Sequence, residues 1–121
     1  MTPCLSPSGT IGQQQTFREA PSNVSVIQGQ TAVLRCRVNN QKGDLQWTKD
    51  GFALGFDRTI PMSPRYRITG SEPLGESDLL ILNSDLEDDG EFQCQVGPNA
   101  GDPPLLGQAQ LSVLSKHHSN P

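Results

Sequence analysis

The chain has 121 residues and a mass of 13.1 kDa, with 9 basic against 13 acidic side chains and a formal charge of −4. That length fits one domain of about 100 residues with loose ends, and an acidic balance without any Lys/Arg cluster excludes a nucleic-acid binder. No apolar run approaches the roughly 20 residues of a membrane span, and residues 1–16 hold no apolar core of a secretory signal.

Residues 1–16 read as a flexible tail, because Pro3, Pro7, Gly9 and Gly12 interrupt any regular element and Gln13-Gln14-Gln15 is low-complexity and polar. Residues 115–121, with Lys116, His117, His118 and Pro121, read the same way. Between them, over 17–114, short runs of alternating polarity are separated by Gly, Pro, Asn and Asp clusters, the pattern of an all-β sandwich or barrel. Val24 and Val26 take one parity, Asn23 and Ser25 the other. Ala32, Leu34, Cys36 and Val38 form a second apolar file against Arg35 and Arg37. Leu45 and Trp47 form a third against Gln46 and Thr48, and Leu79 and Ile81 a fourth, followed by Leu86. Phe92, Cys94 and Val96 alternate with Gln93 and Gln95, and Ala109, Leu111 and Val113 with Gln108 and Gln110. Strand side chains alternate between faces, so each apolar file is expected in a shared core and its complement in water.

Cys36 and Cys94 both fall on inward files, 58 positions apart, with Trp47 11 residues after the first. Asp88-Asp89-Gly90-Glu91-Phe92-Gln93-Cys94 completes the pattern. This is the Cys…Trp…Cys framework of an immunoglobulin sandwich, a two-sheet Greek key in which a disulfide joins strands B and F and the indole packs on it. Closing a loop of about 58 residues contributes about 4 kcal/mol by chain entropy, a large share of a small domain's stability. Two unpaired core cysteines, as in an intracellular structural immunoglobulin domain of a filament protein, form the competing reading. The Cys36–Cys94 interval and the short stretch from Phe52 to Gly55 point to an intermediate set with a reduced C′ region. Phe92 stands two residues before the second cysteine, where a tyrosine commonly bonds back to the turn. That bond is lost here, while the ring still fills core. Asp88 is expected to form a structural salt bridge with Arg65 at the start of strand D.

No catalytic or cofactor-binding arrangement is legible, so neither an enzyme nor a small-molecule substrate is expected. His117 and His118 are adjacent in the tail, where no fold orients them. Asp85, Glu87, Asp88 and Asp89 lack the alternating oxygen ligands of a calcium loop and read as the turn between strands E and F, so no metal is expected. Cys4 is left over as a lone thiol. Asn23-Val24-Ser25 is an N-glycosylation sequon on the solvent parity of the first strand, which together with a disulfide fits an extracellular setting.

Gln46, Gln93, Gln95, Gln108 and Gln110, with Thr48, take the outward parity on strands C, F and G. Five of the eight glutamines outside the Gln13-Gln14-Gln15 run therefore share one face, uncharged at its centre. Charged residues are depleted at the cores of protein–protein interfaces, and amides donate and accept at once, so this sheet is the expected binding face. Phe52, Leu54 and Phe56 lie beside it as apolar contacts, with a core position as the alternative for Phe56. Arg35, Arg37 and the Asn23 glycan are assigned to the opposite sheet.

Leu45-Gln46-Trp47-Thr48-Lys49-Asp50-Gly51, followed by Ala53-Leu54-Gly55, resembles the first immunoglobulin domain of the Neph/nephrin/irregular-chiasm adhesion receptors. Phe17-Arg18-Glu19-Ala20-Pro21, Pro64-Arg65-Tyr66-Arg67 with Gly70-Ser71, and Gln93-Cys94-Gln95-Val96-Gly97-Pro98 extend the resemblance over about residues 17–114. It implies a single-pass receptor on the extracellular face of the plasma membrane, of which this chain is a fragment or a secreted truncation. It also implies that the domain binds another immunoglobulin-superfamily receptor, homophilically or as a sister receptor, through the G–F–C–C′ face. The processes implied are synapse targeting, myoblast fusion and filtration-slit assembly. Carried over by position, the contact residues are Gln46, Thr48, Leu54, Gln93, Gln95 and Gly97. Gln108 joins them at the end of a long loop from Asn99 to Leu106. A weak homodimer is one expected form, and a soluble ligand-binding decoy is a further reading.

Overall fold

Alternating polarity yields ten strands in the computed structural model, which describes residues 13–61 and 63–116. In chain order these are β1 (Thr16–Glu19), β2 (Val24–Ile27), β3 (Ala32–Leu34), β4 (Arg37–Asn39) and β5 (Leu45–Lys49). There follow β6 (Phe52–Ala53), β7 (Tyr66–Thr69), β8 (Asp78–Ile81), β9 (Gly90–Val96) and β10 (Leu105–Leu114). One layer is a five-stranded sheet in the order β2-β10-β9-β5-β6. Facing it are β3-β8-β7 and the pair β1-β4, with β4 continuing the line of β3. The architecture is the expected immunoglobulin sandwich, and Cys36 is bonded to Cys94 through its middle, with 6.5 Å between their Cα atoms. The two inward cysteines are thus paired as the framework predicts.

Each apolar file faces inward. Ala32, Leu34, Cys36, Val38, Trp47, Leu79, Ile81, Phe92, Cys94, Val96, Ala109, Leu111 and Val113 are all buried. The Trp47 indole N–H donates to the Ser77 carbonyl at 2.9 Å, which satisfies its one polar atom inside the core. Ile60 and Tyr66 join this core from outside the alternating files, whereas Leu86 is exposed rather than part of it.

The second strand keeps its alternation but not its ladder. Between β3 and β4 the Cys36 N–H donates to the buried Asp78 carboxylate at 2.9 Å. Arg37 holds the same carboxylate at 2.9 Å and Arg35 stands 3.6 Å from it. A buried charge needs such partners, and the carboxylate breaks the strand by replacing a main-chain acceptor.

Gln15 and Thr16, expected in the N-terminal tail, belong to the packed domain. β1 begins at Thr16 and pairs with β4, and the Gln15 side chain is buried. Gln15 Nε2 donates to the carbonyls of Gly97 and Pro103 at 2.9 and 3.0 Å, and its Oε1 accepts from the N–H groups of Lys42 and Gly43, both at 3.1 Å. After β1 the chain crosses layers at Pro21, so that β2 runs parallel to β10. Gly107 lets this crossing pack closely, because a Cβ there would lie 2.7 Å from Pro21 Cδ. The crossing also corrects the assignment of Asn23, which stands at the edge of the five-stranded sheet and not on the opposite one. Cys4, His117 and His118 lie outside the described residues.

The turn into β9 is built on Asp88, in a short 3-10 turn at Leu86–Asp88. Arg65 reaches its carboxylate with both terminal nitrogens, at 2.7 and 3.0 Å, and Tyr66 O–H donates at 2.7 Å. The Asp85 N–H adds a fourth bond at 2.7 Å. Burial pushes the Asp88 carboxyl up, but the bonds from Arg65, Tyr66 and Asp85 outweigh it and hold the group below its ordinary value.

Candidate partner-binding face

The outer side of the five-stranded sheet is set by cross-strand register. Gln46 lies opposite Gln95, and Gln95 opposite Leu106, giving one row across β5, β9 and β10. The next row runs Ala53, Thr48, Gln93, Gln108. Directly opposed residues share a face, so all five outward glutamines stand on one side, Gln110 in the row of Glu91.

Their amides form a directed chain. Gln95 Nε2 donates to Gln93 Oε1 at 2.9 Å, and Gln93 Nε2 donates to Gln108 Oε1 at 3.3 Å. Gln95 and Gln93 each use one donor and Gln108 only accepts, so all three keep further hydrogen-bonding capacity. Gln46 makes no side-chain hydrogen bond among the described residues, so its donors and acceptor are open. Charge is confined to the margins. At one end Lys49 pairs with Asp50 at 2.9 Å. The Glu91 N–H, then Lys49, hold the Asp50 carboxyl below its ordinary value.

Two expected contact residues are placed otherwise, and the alternative for a third is decided. Thr48 has the outward parity but is only 4% exposed, in register between Ala53 and Gln93 on the neighbouring strands. It offers no surface, and its Oγ1 has no hydrogen-bond partner among the described residues. Leu54 is half-buried and packs against the core cluster rather than facing out. Phe56 is not in the core: it is 63% exposed. With Gln46, Gln95, Pro98, Leu105 and Leu106 it lines a cleft of about 530 Å³ at the upper end of the face. Leu106, 59% exposed, is the apolar wall that alternation alone did not single out.

The loop above the face is more ordered than its length implied. Asn99 and Asp102 bond to each other's main chain in a tight turn, with Ala100 and Gly101 at φ of 39° and 93°. The Lys42 ammonium stands 2.7 Å from the buried Asp102 carboxylate. Gly97, half-exposed at the end of the sheet, donates its N–H to Asp44 O at 2.9 Å. Gln15 thus fixes this loop from beneath, and nothing in the Gln13-Gln14-Gln15 run signals that one of the three is a core residue. Among the described residues, no group of three or more His, Cys, Asp or Glu is placed to hold a metal.

A two-sheet sandwich of this topology, bonded through its middle, defines an immunoglobulin-like domain. The chain belongs to the immunoglobulin I-set domain family, whose model matches residues 15–104. It is 42% identical over 91 residues to Kin of IRRE-like protein 1 of Homo sapiens, a match covering 75% of this chain and 12% of that protein. To Synaptogenesis protein syg-1 of Caenorhabditis elegans it is 42% identical over 104 residues, covering 84% of this chain and 14% of the relative. The crystal structure of Duf (Kirre) D1 superposes with a TM-score of 0.81 at 39% identity, covering 85% of this chain and 99% of that one. The chain spans only a small part of the length of these two relatives. The titin M3 domain, at 23% identity and a TM-score of 0.68, shows the fold alone.

Proposed function

We propose that this chain is an extracellular adhesion module that docks another immunoglobulin domain, a second copy or a sister receptor, on the β10-β9-β5-β6 face. The observation that carries this reading is the uncharged amide chain Gln95–Gln93–Gln108 beside the Phe56–Leu106 cleft. Such a surface offers an apolar anchor and paired hydrogen bonds without the cost of desolvating charge. Gln46, Gln93, Gln95, Gly97 and Gln108 are its contacts. Thr48 supports the sheet beneath them and Leu54 seats the β6 turn. An interface of about 800 Å² per partner is of modest size, and many copies on apposed membranes supply avidity. The disulfide and the Asn23 sequon support a setting at the cell surface, as part of a longer receptor.

Sedimentation over a concentration series tests the face, with the chain alone and mixed with the matching segment of human Kin of IRRE-like protein 1. Gln46→Glu and Gln93→Lys should lose association while keeping the thermal midpoint of the parent. Unchanged association in both variants rejects the face.

A further inference from the structure

Asn23 sits at the open edge of the five-stranded sheet, one residue before β2, with its side chain exposed. Its Oδ1 accepts the main-chain N–H of Gln110 at 2.8 Å, adding one side-chain rung to the β2–β10 ladder. Nδ2, the atom to which an N-linked sugar is joined, makes no hydrogen bond among the described residues. A glycosylated asparagine keeps Oδ1, so the rung survives attachment and fixes where the sugar leaves the protein. Ser25, the third residue of the sequon, is also exposed and lies in register with Ser112, in the outward parity of Gln108 and Gln110. The sequon therefore belongs to the side of the sheet that carries the amides.

Resting on the adhesion reading, we propose that a glycan on Asn23 fences the β2–β10 border of this face and confines a docking domain to the β9-β5-β6 side. Strands lie about 4.8 Å apart and rise about 3.4 Å per residue, which puts Asn23 roughly 8 Å from Gln108 and roughly 20 Å from Gln46. A branched sugar at that edge shades Gln108 and leaves Gln46, Gln95 and the Phe56–Leu106 cleft open. It also covers the free edge of β2, whose unpaired main-chain groups otherwise invite strand addition. The partner then approaches from the cleft side, where the apolar anchor is.

Secretion from a mammalian host behind a leader, in a Cys4→Ser background, tests this with Ser25→Ala, which removes the sequon and leaves the Asn23–Gln110 bond. Enzymatic glycan release should lower the mass of the parent and leave Ser25→Ala unchanged. The thiol of Gln108→Cys should react with a polymer-linked maleimide several-fold more slowly in the parent than in the Ser25→Ala background. The thiol of Gln46→Cys should react equally in both. An unglycosylated parent overturns the proposal, as do equal rates for Gln108→Cys or slowing at both positions. None of these readouts needs a partner, so they stand or fall separately from the sedimentation result.

Discussion

The Tyr66 hydroxyl donates to Asp88 Oδ1 at 2.7 Å, so the facing layer supplies a hydroxyl to the turn where Phe92 has none to offer. The two rings sit 6.3 Å apart, so the hydroxyl and the core ring that one tyrosine commonly provides are divided between two residues. Tyr66→Phe removes the hydroxyl and keeps the ring. It should lower unfolding stability by about 1.5–3 kcal/mol, the range for a hydrogen bond to a charged group, measured by urea denaturation. A variant as stable as the parent would show that Arg65 and the Asp85 N–H satisfy Asp88 without the hydroxyl.

The same pair predicts the pH profile. Asp88 titrates below its ordinary 3.8 when folded, so its contribution is present above that value and lost as pH falls through the depressed one. Tyr66 is shifted the other way, by burial first and then by its bond to the carboxylate. Its contribution is intact below the ordinary 10.0 and declines as pH rises above it. Thermal midpoints should fall at both extremes, and Tyr66→Phe should flatten the alkaline limb.

Reducing Cys36–Cys94 should cost about 4 kcal/mol by release of loop entropy. Denaturation with and without reductant, or of a Cys36→Ala/Cys94→Ala double variant, reads this directly. The Trp47 fluorescence reports the transition, because the indole is packed beside the bridge.

Thr48 carries a buried hydroxyl with no partner among the described residues. Thr48→Val keeps the shape and removes the stranded oxygen, so stability should rise by about 1 kcal/mol. Association should stay unchanged, since the residue has no exposed surface. A loss of association in the sedimentation series would place Thr48 back among the contacts.

Gln15→Leu should be among the most damaging single changes, at roughly 3 kcal/mol, because it strands four main-chain groups in the loops at the top of the face. Hydrogen exchange should accelerate at the Lys42 and Gly43 amides before the core strands respond.

Much of the architecture was legible because period-two alternation is a direct record of which side chain meets the core. The inward files from Ala32 to Val38 and from Phe92 to Val96 could be read residue by residue. The parity of the five glutamines came from the same signal. What alternation does not carry is the identity of lateral neighbours. Thr48 is outward yet covered, which depends on Ala53 and Gln93 arriving beside it from other strands. Asn23 looked remote from the amides because nothing in Ala20-Pro21-Ser22 states that the chain changes layers there. Gln15 was hidden in a homopolymeric run, and Tyr66 drew notice only as part of a motif, not as the hydroxyl replacing the one Phe92 lacks.

The parallel pairing of β2 with β10 joins Val24 to Leu111 and Ile27 to Leu114, next to both ends of the domain. Tension applied between the two ends drags these strands in opposite directions along their length, so their ladder bonds must rupture together rather than unzip one at a time. Under such end-to-end tension, this short parallel pair is where the five-stranded sheet resists the pull.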